Sequence, residues 1–292
     1  MDVTSTRNTT RRSVLVYSAL ATDRWDEAMH SGADVIFFDL EDGTTEERKD
    51  EGRTRIIETF AQGMPTRPND APISLLRVNP PRTLHGLRDL VAVMESAVRP
   101  DGLVLPKVGH PEEVRWVADV LQTENLNLEL MPLIEDQAGL RAAHEIAQAS
   151  ELVRSLFLGS VDLSGELRTA MGWDALYDAR ATLVRATSAA GIDCIDGPWL
   201  AVDDVDGLRD EAQRVASMGF TGKASYDPSQ LTDIHAAFTP SSAQIALAER
   251  VIEAVDSSAT GAARVDGRSV NKANAKGARR LLARAREMGV LG

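Results

Sequence analysis

Residues 34–43 read Asp34-Val35-Ile36-Phe37-Phe38-Asp39-Leu40-Glu41-Asp42-Gly43. A short β-branched and aromatic run closed by acids and a glycine predicts a strand. The rest of the chain repeats this design. Strand-like runs recur at 14–18, 73–79, 102–107, 128–135, 156–162, 192–196 and 220–225. Between them lie helix candidates at 23–31, 46–60, 87–97, 111–121, 139–149, 175–190, 205–218 and 228–238. Strand–helix alternation predicts a parallel sheet. Eight units in about 240 residues fit a (β/α)8 TIM barrel. An open doubly wound sheet is the alternative. The Gly-rich nucleotide loop that would favour it is absent, because Tyr17-Ser18-Ala19-Leu20-Ala21-Thr22-Asp23 follows the first run. The expected layout is a flexible tail over 1–11, a barrel over 12–240 and a C-terminal helical extension over 241–292. That extension reads as a helix at 242–254, a small-residue linker at 256–263 and a basic helix at 271–288.

Composition narrows the function. The chain has 292 residues, 43% hydrophobic and 26% charged, with a net charge of −12, which suits an ordinary folded protein. The charge is uneven. Residues 261–292 carry eight Lys/Arg against two acids, a net +6, leaving −18 on residues 1–260. No apolar run reaches the roughly 18–20 residues of a membrane span. The first residues lack a hydrophobic signal core, so a cytoplasmic location is expected. An acidic chain with 4% aromatics argues against nucleic-acid binding. The single cysteine, Cys194, excludes a disulfide framework and reads as a core residue. The five histidines show no paired metal spacing, and no G-x-S-x-G elbow is present.

Catalytic groups of a TIM barrel stand at the C-terminal ends of its strands. Here those ends carry Asp39, Glu41 and Asp42; Arg77 and Asn79; Lys107; Glu135 and Asp136; Asp162; and Asp196. Period-2 alternation puts Asp39 and Glu41 on one face. Acids that finish apolar strands are costly to bury unless paired or bound to a cation. A hard divalent cation such as Mg2+, held by one or two carboxylates, is the simplest solution, and Glu135 with Asp162 is the best pair. Capping of the following helices is the competing explanation for each acid taken singly.

Taken in order, these strand ends resemble the citrate lyase β-subunit-like family, with its malyl-CoA, methylmalyl-CoA and citramalyl-CoA lyases, within the HpcH/HpaI aldolase superfamily. The resemblance runs over about residues 11–256. It rests on Arg12-Ser13-Val14-Leu15, Asp39-Leu40-Glu41-Asp42-Gly43 with Lys49 and Arg53, Arg77-Val78-Asn79, Leu105-Pro106-Lys107, Ile134-Glu135 with Gly139-Leu140, and Gly159-Ser160-Val161-Asp162-Leu163. Gly219-Phe220-Thr221-Gly222-Lys223 and Pro228-Ser229-Gln230 complete it. Each motif is weak alone; their order is specific. The resemblance implies a TIM barrel, a homotrimer or a multiple of it, and Mg2+ (with Mn2+ as a substitute) at the mouth. It implies that Glu135 and Asp162 ligate the metal and that Glu41 and Asp42 hold its waters. Arg77 would grip an oxo acid, while Arg12 and Lys49 would line the mouth and help place an acidic substrate, a CoA thioester among the candidates.

Three departures fall on the acyl side. Family members carry a tail Asp that reaches a neighbouring subunit's site and handles a proton; Asn271 stands there, in Asp266-Gly267-Arg268-Ser269-Val270-Asn271. An amide has no titratable proton at neutral pH. Tyr226-Asp227-Pro228-Ser229-Gln230 replaces a family Ile-His-Pro-x-Gln, and Glu135-Asp136 replaces Glu-Thr or Glu-Ser. The expected function is a Mg2+-dependent carbon–carbon lyase or aldolase acting on a β-hydroxy acid or β-hydroxyacyl-CoA. The alternatives are another enolate or acyl reaction, such as thioester hydrolysis or a biosynthetic aldol step, and a non-catalytic binding protein on the same scaffold. Asn271 is expected to contribute to substrate binding from a tail that serves as a lid on a neighbouring subunit.

Overall fold

Hydrogen bonding between consecutive parallel strands, from β1 to β8 and back to β1, closes the sheet into a barrel in a computed structural model that describes residues 10–68 and 70–291. The strands are β1 (Ser13–Ser18), β2 (Val35–Asp39), β3 (Ile73–Arg77), β4 (Gly102–Leu105), β5 (Glu129–Ile134), β6 (Ser155–Leu158), β7 (Asp193–Asp196) and β8 (Gly222–Ser225). The helices are α1 (Trp25–Met29), α2 (Lys49–Gly63), α3 (Leu84–Glu95), α4 (Pro111–Thr123), α5 (Gln137–Arg141), α6 (Ala143–Ala147), α7 (Ser160–Leu167), α8 (Trp173–Ala190), α9 (Val205–Met218) and α10 (Leu231–Phe238). The (β/α)8 TIM barrel is therefore the fold. No helix among the described residues is long and apolar enough to cross a membrane.

Strand parity decides which strand-end residues face the mouth. Phe37, Leu75, Leu133, Phe157, Ile195 and Ala224 pack together inside the barrel. Phe38 points the other way, against Trp25 and Phe60. Residues two beyond the inward set, among them Asp39, Arg77 and Glu135, therefore continue inward. Residues one beyond it face the helices. Asp196 follows the inward Ile195 and is fully buried, outside the barrel wall. Its carboxylate takes Arg180 Nε at 2.9 Å and Lys223 Nζ at 2.7 Å, and Lys223 also reaches Glu211 at 2.7 Å. Burial works against the charge on Asp196, but Lys223 and Arg180 outweigh it and hold its carboxyl below the usual range. Asp196 is thus a packing ion pair, not a mouth residue.

Three sequence expectations need correction. The sixth strand stops at Leu158 and the chain enters α7, so Asp162 sits in a helix's first turn rather than at a strand end. An acid there is favoured by the helix dipole. Arg12 lies before β1, at the N-terminal end of the barrel. Its backbone N–H, Nε and Nη2 all donate to Asp34, which precedes β2, at 2.7–2.8 Å. Arg11 pairs there with Glu129 and Asp193. A buried, doubly paired Arg11 is not part of a flexible tail; the rest of the expected tail, residues 1–9, lies outside the described residues.

Compact units divide at His235: one spans Arg11–His235 and the other takes the chain from Ala236 onward. The second unit contains α11 (Ser242–Asp256), β9 (Ala262–Val265), β10 (Arg268–Asn271) and α12 (Lys272–Glu287). The linker expected at 256–263 runs into an antiparallel hairpin. Asp266 and Gly267 form its turn, both with positive φ (48° and 78°), as a two-residue type I′ connection requires. Asn271 ends β10 and caps α12. Its side-chain oxygen accepts from the Ala273 and Asn274 N–H groups, while Asn274 bonds back to the Asn271 N–H.

Candidate active site

The site is built around the carboxylate of Asp39, at the end of β2. It accepts the backbone N–H of Glu41 at 2.8 Å and of Gly43 at 2.6 Å, and the Arg77 fork at 2.7 Å (Nε) and 2.5 Å (Nη2). Gly43 is required by this close approach, because a Cβ there would stand 2.4 Å from Asp39 Oδ2. One carboxylate thus fixes both the loop that carries Glu41 and the guanidinium on the next strand. Burial opposes the charge on Arg77, yet Asp39, Glu41 and Glu135 raise its pKa above the ordinary guanidinium value.

Lys49 supports the same loop from beneath. It is 7% exposed, and its Nζ donates to the carbonyls of Leu40 (2.8 Å) and Glu41 (2.6 Å). Asn79 Nδ2 also donates to the Leu40 carbonyl, at 3.2 Å, and is held by the fully buried Asp89 at 2.7 Å. These contacts make Lys49 and Asn79 positioning residues for Glu41.

Lys107 connects the β2 side of the mouth to the β5 side. Its φ of 53° is left-handed, uncommon for a residue with a side chain. That turn aims its backbone N–H at Glu135 Oε1 (2.7 Å) and its ammonium at Glu41, with Asp42 3.7 Å away. Glu41 is also 3.4 Å from Arg77. Burial raises the pKa of Glu41, Arg77 and Lys107 oppose the rise, and the nearby Asp42 adds to it. Asp42 itself is exposed.

Glu135 differs from the other acids. It is 3% exposed, and among the described residues no cationic side chain lies within ion-pair distance of it. Burial first, and then the charge of Asp162, push its carboxyl up to about 8. Gly159, the inward-facing residue after β6, leaves it room: a Cβ there would lie 2.3 Å from Glu135 Cβ. Directly after Gly159 comes α7, whose N-terminus no side chain caps. The first-turn N–H groups of Ser160, Val161 and Asp162 therefore have no intrahelical acceptor. Among the described residues the buried Ser160 hydroxyl also has no hydrogen-bond partner.

These residues fit a hard divalent cation. Two carboxylates repel each other at a place where one of them has no counter-charge, and a cation would remove that cost. Among the described residues no group of three or more His, Cys, Asp or Glu side chains forms a metal cage, which separates this donor set from closed zinc sites.

The barrel therefore gathers Glu41, Asp42, Arg77, Glu135 and Asp162 at its mouth and holds Lys49 beneath it. It does not bring Arg12 there, and Asn271 belongs to the other compact unit. Asp136 caps α5 through the Gly139 N–H at 2.6 Å. Cys194 is buried, which raises its thiol pKa and leaves it unsuited to attack. The roles of Asp39 and Lys107 go beyond the sequence reading. Asp39 was legible from its phase with Phe37, but nothing in the sequence signals the left-handed turn at Lys107.

The family described as HpcH/HpaI aldolase/citrate lyase matches residues 12–228. A (3S)-malyl-CoA thioesterase of Cereibacter sphaeroides is 32% identical, over 96% of this chain and 96% of its own length. The mitochondrial citramalyl-CoA lyase of Homo sapiens is 31% identical, over 84% of this chain and 75% of that protein. Protein CitE from Mycobacterium tuberculosis, solved with magnesium, acetoacetate and coenzyme A, superposes with a TM-score of 0.79. The two are 28% identical, and the match covers 95% of this chain and 99% of that one.

Proposed function

This chain belongs to the HpcH/HpaI aldolase/citrate lyase family, and from that premise we propose that it is a Mg2+-dependent carbon–carbon lyase or aldolase. Its substrate is a β-hydroxy acid or β-hydroxyacyl-CoA, which divides into an oxo acid and an acyl enolate. The observation that carries this reading is Glu135, an inward acid raised to about 8, faced by Asp162 and, among the described residues, within ion-pair distance of no cationic side chain. Glu135 and Asp162 would hold Mg2+ (or Mn2+), with Glu41 and Asp42 orienting its waters. The bound cation supplies Lewis-acid polarisation of a substrate oxygen.

The chain's own groups do the rest. Arg77, locked by Asp39, presents its remaining N–H donors to the anionic oxo-acid half. The uncapped N–H groups of α7 suit a carboxylate, since a helix N-terminus is a ready anion site. In cleavage, the β-hydroxyl loses its proton, the carbon–carbon bonding pair moves to the acyl fragment, and a carbonyl forms on the other half. Glu41, with its raised pKa, is the mouth carboxylate suited to take that proton. The acyl enolate must then gain a proton, and the Asn271 amide has no titratable proton to supply.

That gap supports a second reading, hydrolysis of an acyl thioester, which the likeness to (3S)-malyl-CoA thioesterases favours. We further propose a homotrimer in which the basic C-terminal unit covers the acidic mouth of a neighbouring copy.

A panel of oxo acids with acetyl-CoA and propionyl-CoA, together with β-hydroxyacyl-CoA thioesters supplied as substrates, followed by mass spectrometry, tests the reaction. Condensation products or their cleavage support the lyase, and free CoA with an intact β-hydroxy acid supports hydrolysis. Turnover that survives chelation of divalent ions and both Glu135→Ala and Asp162→Ala would overturn the site. Acyl-CoA lyase activity gained in Asn271→Asp would show that the tail acid is the missing part.

A further inference from the structure

Tyr226, the residue after β8, stands at the same mouth and has no role in the reading above. It is 53% exposed, and among the described residues its hydroxyl makes no hydrogen bond. The segment that presents it is tightly held. Ser225 Oγ accepts the Asp227 N–H at 3.0 Å and donates to Gln230 Oε1 at 2.7 Å. Asp227 accepts the Ser229 N–H at 2.8 Å, and Gln230 Nε2 donates to the Trp199 carbonyl at 3.2 Å. The backbone at Tyr226 is thus fixed on both sides while the side chain is left free.

Tyr226 follows the inward Ala224 by two, so its side chain continues inward over the mouth as Asp39, Arg77 and Glu135 do. Burial raises the pKa of the phenol, Arg77 opposes the rise, and Asp39, Asp162 and Asp42 add to it. Those four residues belong to β2, β3, the loop after β2 and the start of α7, in agreement with that inward phase. A protonated phenol carries one O–H donor on a stiff ring, and a side chain with few rotatable bonds loses little entropy when it binds. The inward phase therefore sets this donor over the mouth that holds the Arg77 guanidinium.

Resting on the oxo-acid reading of this site, we propose that Tyr226 is a specificity-determining residue. Its hydroxyl donates a hydrogen bond to an oxygen on the substituent of the oxo acid, beyond the keto acid group that Arg77 and α7 hold. The site then selects oxo acids that carry a second carboxylate or a hydroxyl over those whose substituent is hydrogen or methyl. A site built to bond an oxygen discriminates more strongly than one that only encloses a methyl group.

Tyr226→Phe removes the oxygen alone. Mg2+-dependent binding of oxaloacetate and of glyoxylate is measured by calorimetry in the wild type and the variant, with thermal unfolding and Mg2+ affinity as controls. A lost hydrogen bond to a charged group lowers oxaloacetate affinity about tenfold or more, while glyoxylate affinity stays within twofold and both controls are unchanged. A purely structural role for Tyr226 would weaken both ligands alike. Equal change for both ligands, or no change for oxaloacetate, overturns the proposal and leaves the proposed function standing. A wild type that binds neither oxo acid in the presence of Mg2+ overturns both.

Discussion

Arg77 and Asp39 face each other across neighbouring strands, with the guanidinium Nε and Nη2 each on its own carboxylate oxygen, 2.7 and 2.5 Å away. Asp39 simultaneously holds the turn that carries Glu41. Positioning of the anion grip and of the carboxylate loop is therefore one event. Arg77→Lys cannot restore a two-pronged contact. It is expected to reduce kcat/KM by about 100-fold or more, the scale of a small misplacement in an active site. Asp39→Asn should reduce it comparably, while circular dichroism stays native. Near wild-type steady-state kinetics in either variant would separate the pair from catalysis.

Glu135 links the site to pH. Its carboxyl is raised from the ordinary 4.5 to about 8, so between those values the native state binds more protons than the unfolded chain. Metal-free stability therefore falls as pH rises through that window. Mg2+ affinity rises over the same range, because the cation binds the ionised form and releases the proton. Glu135→Gln should flatten the stability profile, raise the metal-free Tm at pH 8 by a few degrees and abolish Mg2+ binding. Thermal melts in chelator from pH 5 to 9, paired with Mg2+ titrations, check both signs. A Tm that is lowered at pH 8 by the substitution would contradict the burial cost.

Gly159 leaves the volume that Glu135 occupies. With a Cβ only 2.3 Å from Glu135 Cβ, Gly159→Ala must displace the acid or the start of α7. Overpacking of this kind costs about 1–3 kcal/mol. The expected outcome is a Mg2+ dissociation constant raised at least tenfold, measured by calorimetry. Gly165→Ala, where a Cβ meets nothing within 4 Å, is the control and should bind Mg2+ as the wild type does.

Asp196 and Lys223 are fully buried partners on the outer side of the barrel wall. Lys223→Met leaves Asp196 with Arg180 alone, and removal of one member of a buried pair costs about 3–5 kcal/mol. Chemical denaturation should show that loss, with Mg2+ affinity unchanged at temperatures where the variant is folded. A variant of wild-type stability with weakened Mg2+ binding would instead place the pair in the site.

Fold and site were unequally legible. The eight strand–helix units, with their ends rich in acids and arginines, announce a barrel with a charged mouth. The Asp266-Gly267 hairpin also left a readable signal, because that dipeptide tolerates two positive φ angles in a row. The chain ends and element boundaries were less clear: α7 begins where the sixth strand was expected to continue, since Gly159 and Ser160 end one pattern and start another.

What the sequence determined by itself was the alternation, the closure it implies, and the set of side chains available at strand ends. Only the tertiary structure decided among those side chains, because a one-residue difference in phase turns a strand-end residue from the mouth to the helices. Glu135 follows inward Leu133 by two and reaches the site; Asp196 follows inward Ile195 by one and becomes an ion pair in the wall. Arg12 stands at the far end of its strand, where its charge stabilises the barrel by pairing with Asp34. The sequence reveals each residue's chemistry, but its role depends on which neighbours the closed sheet brings within a few ångströms.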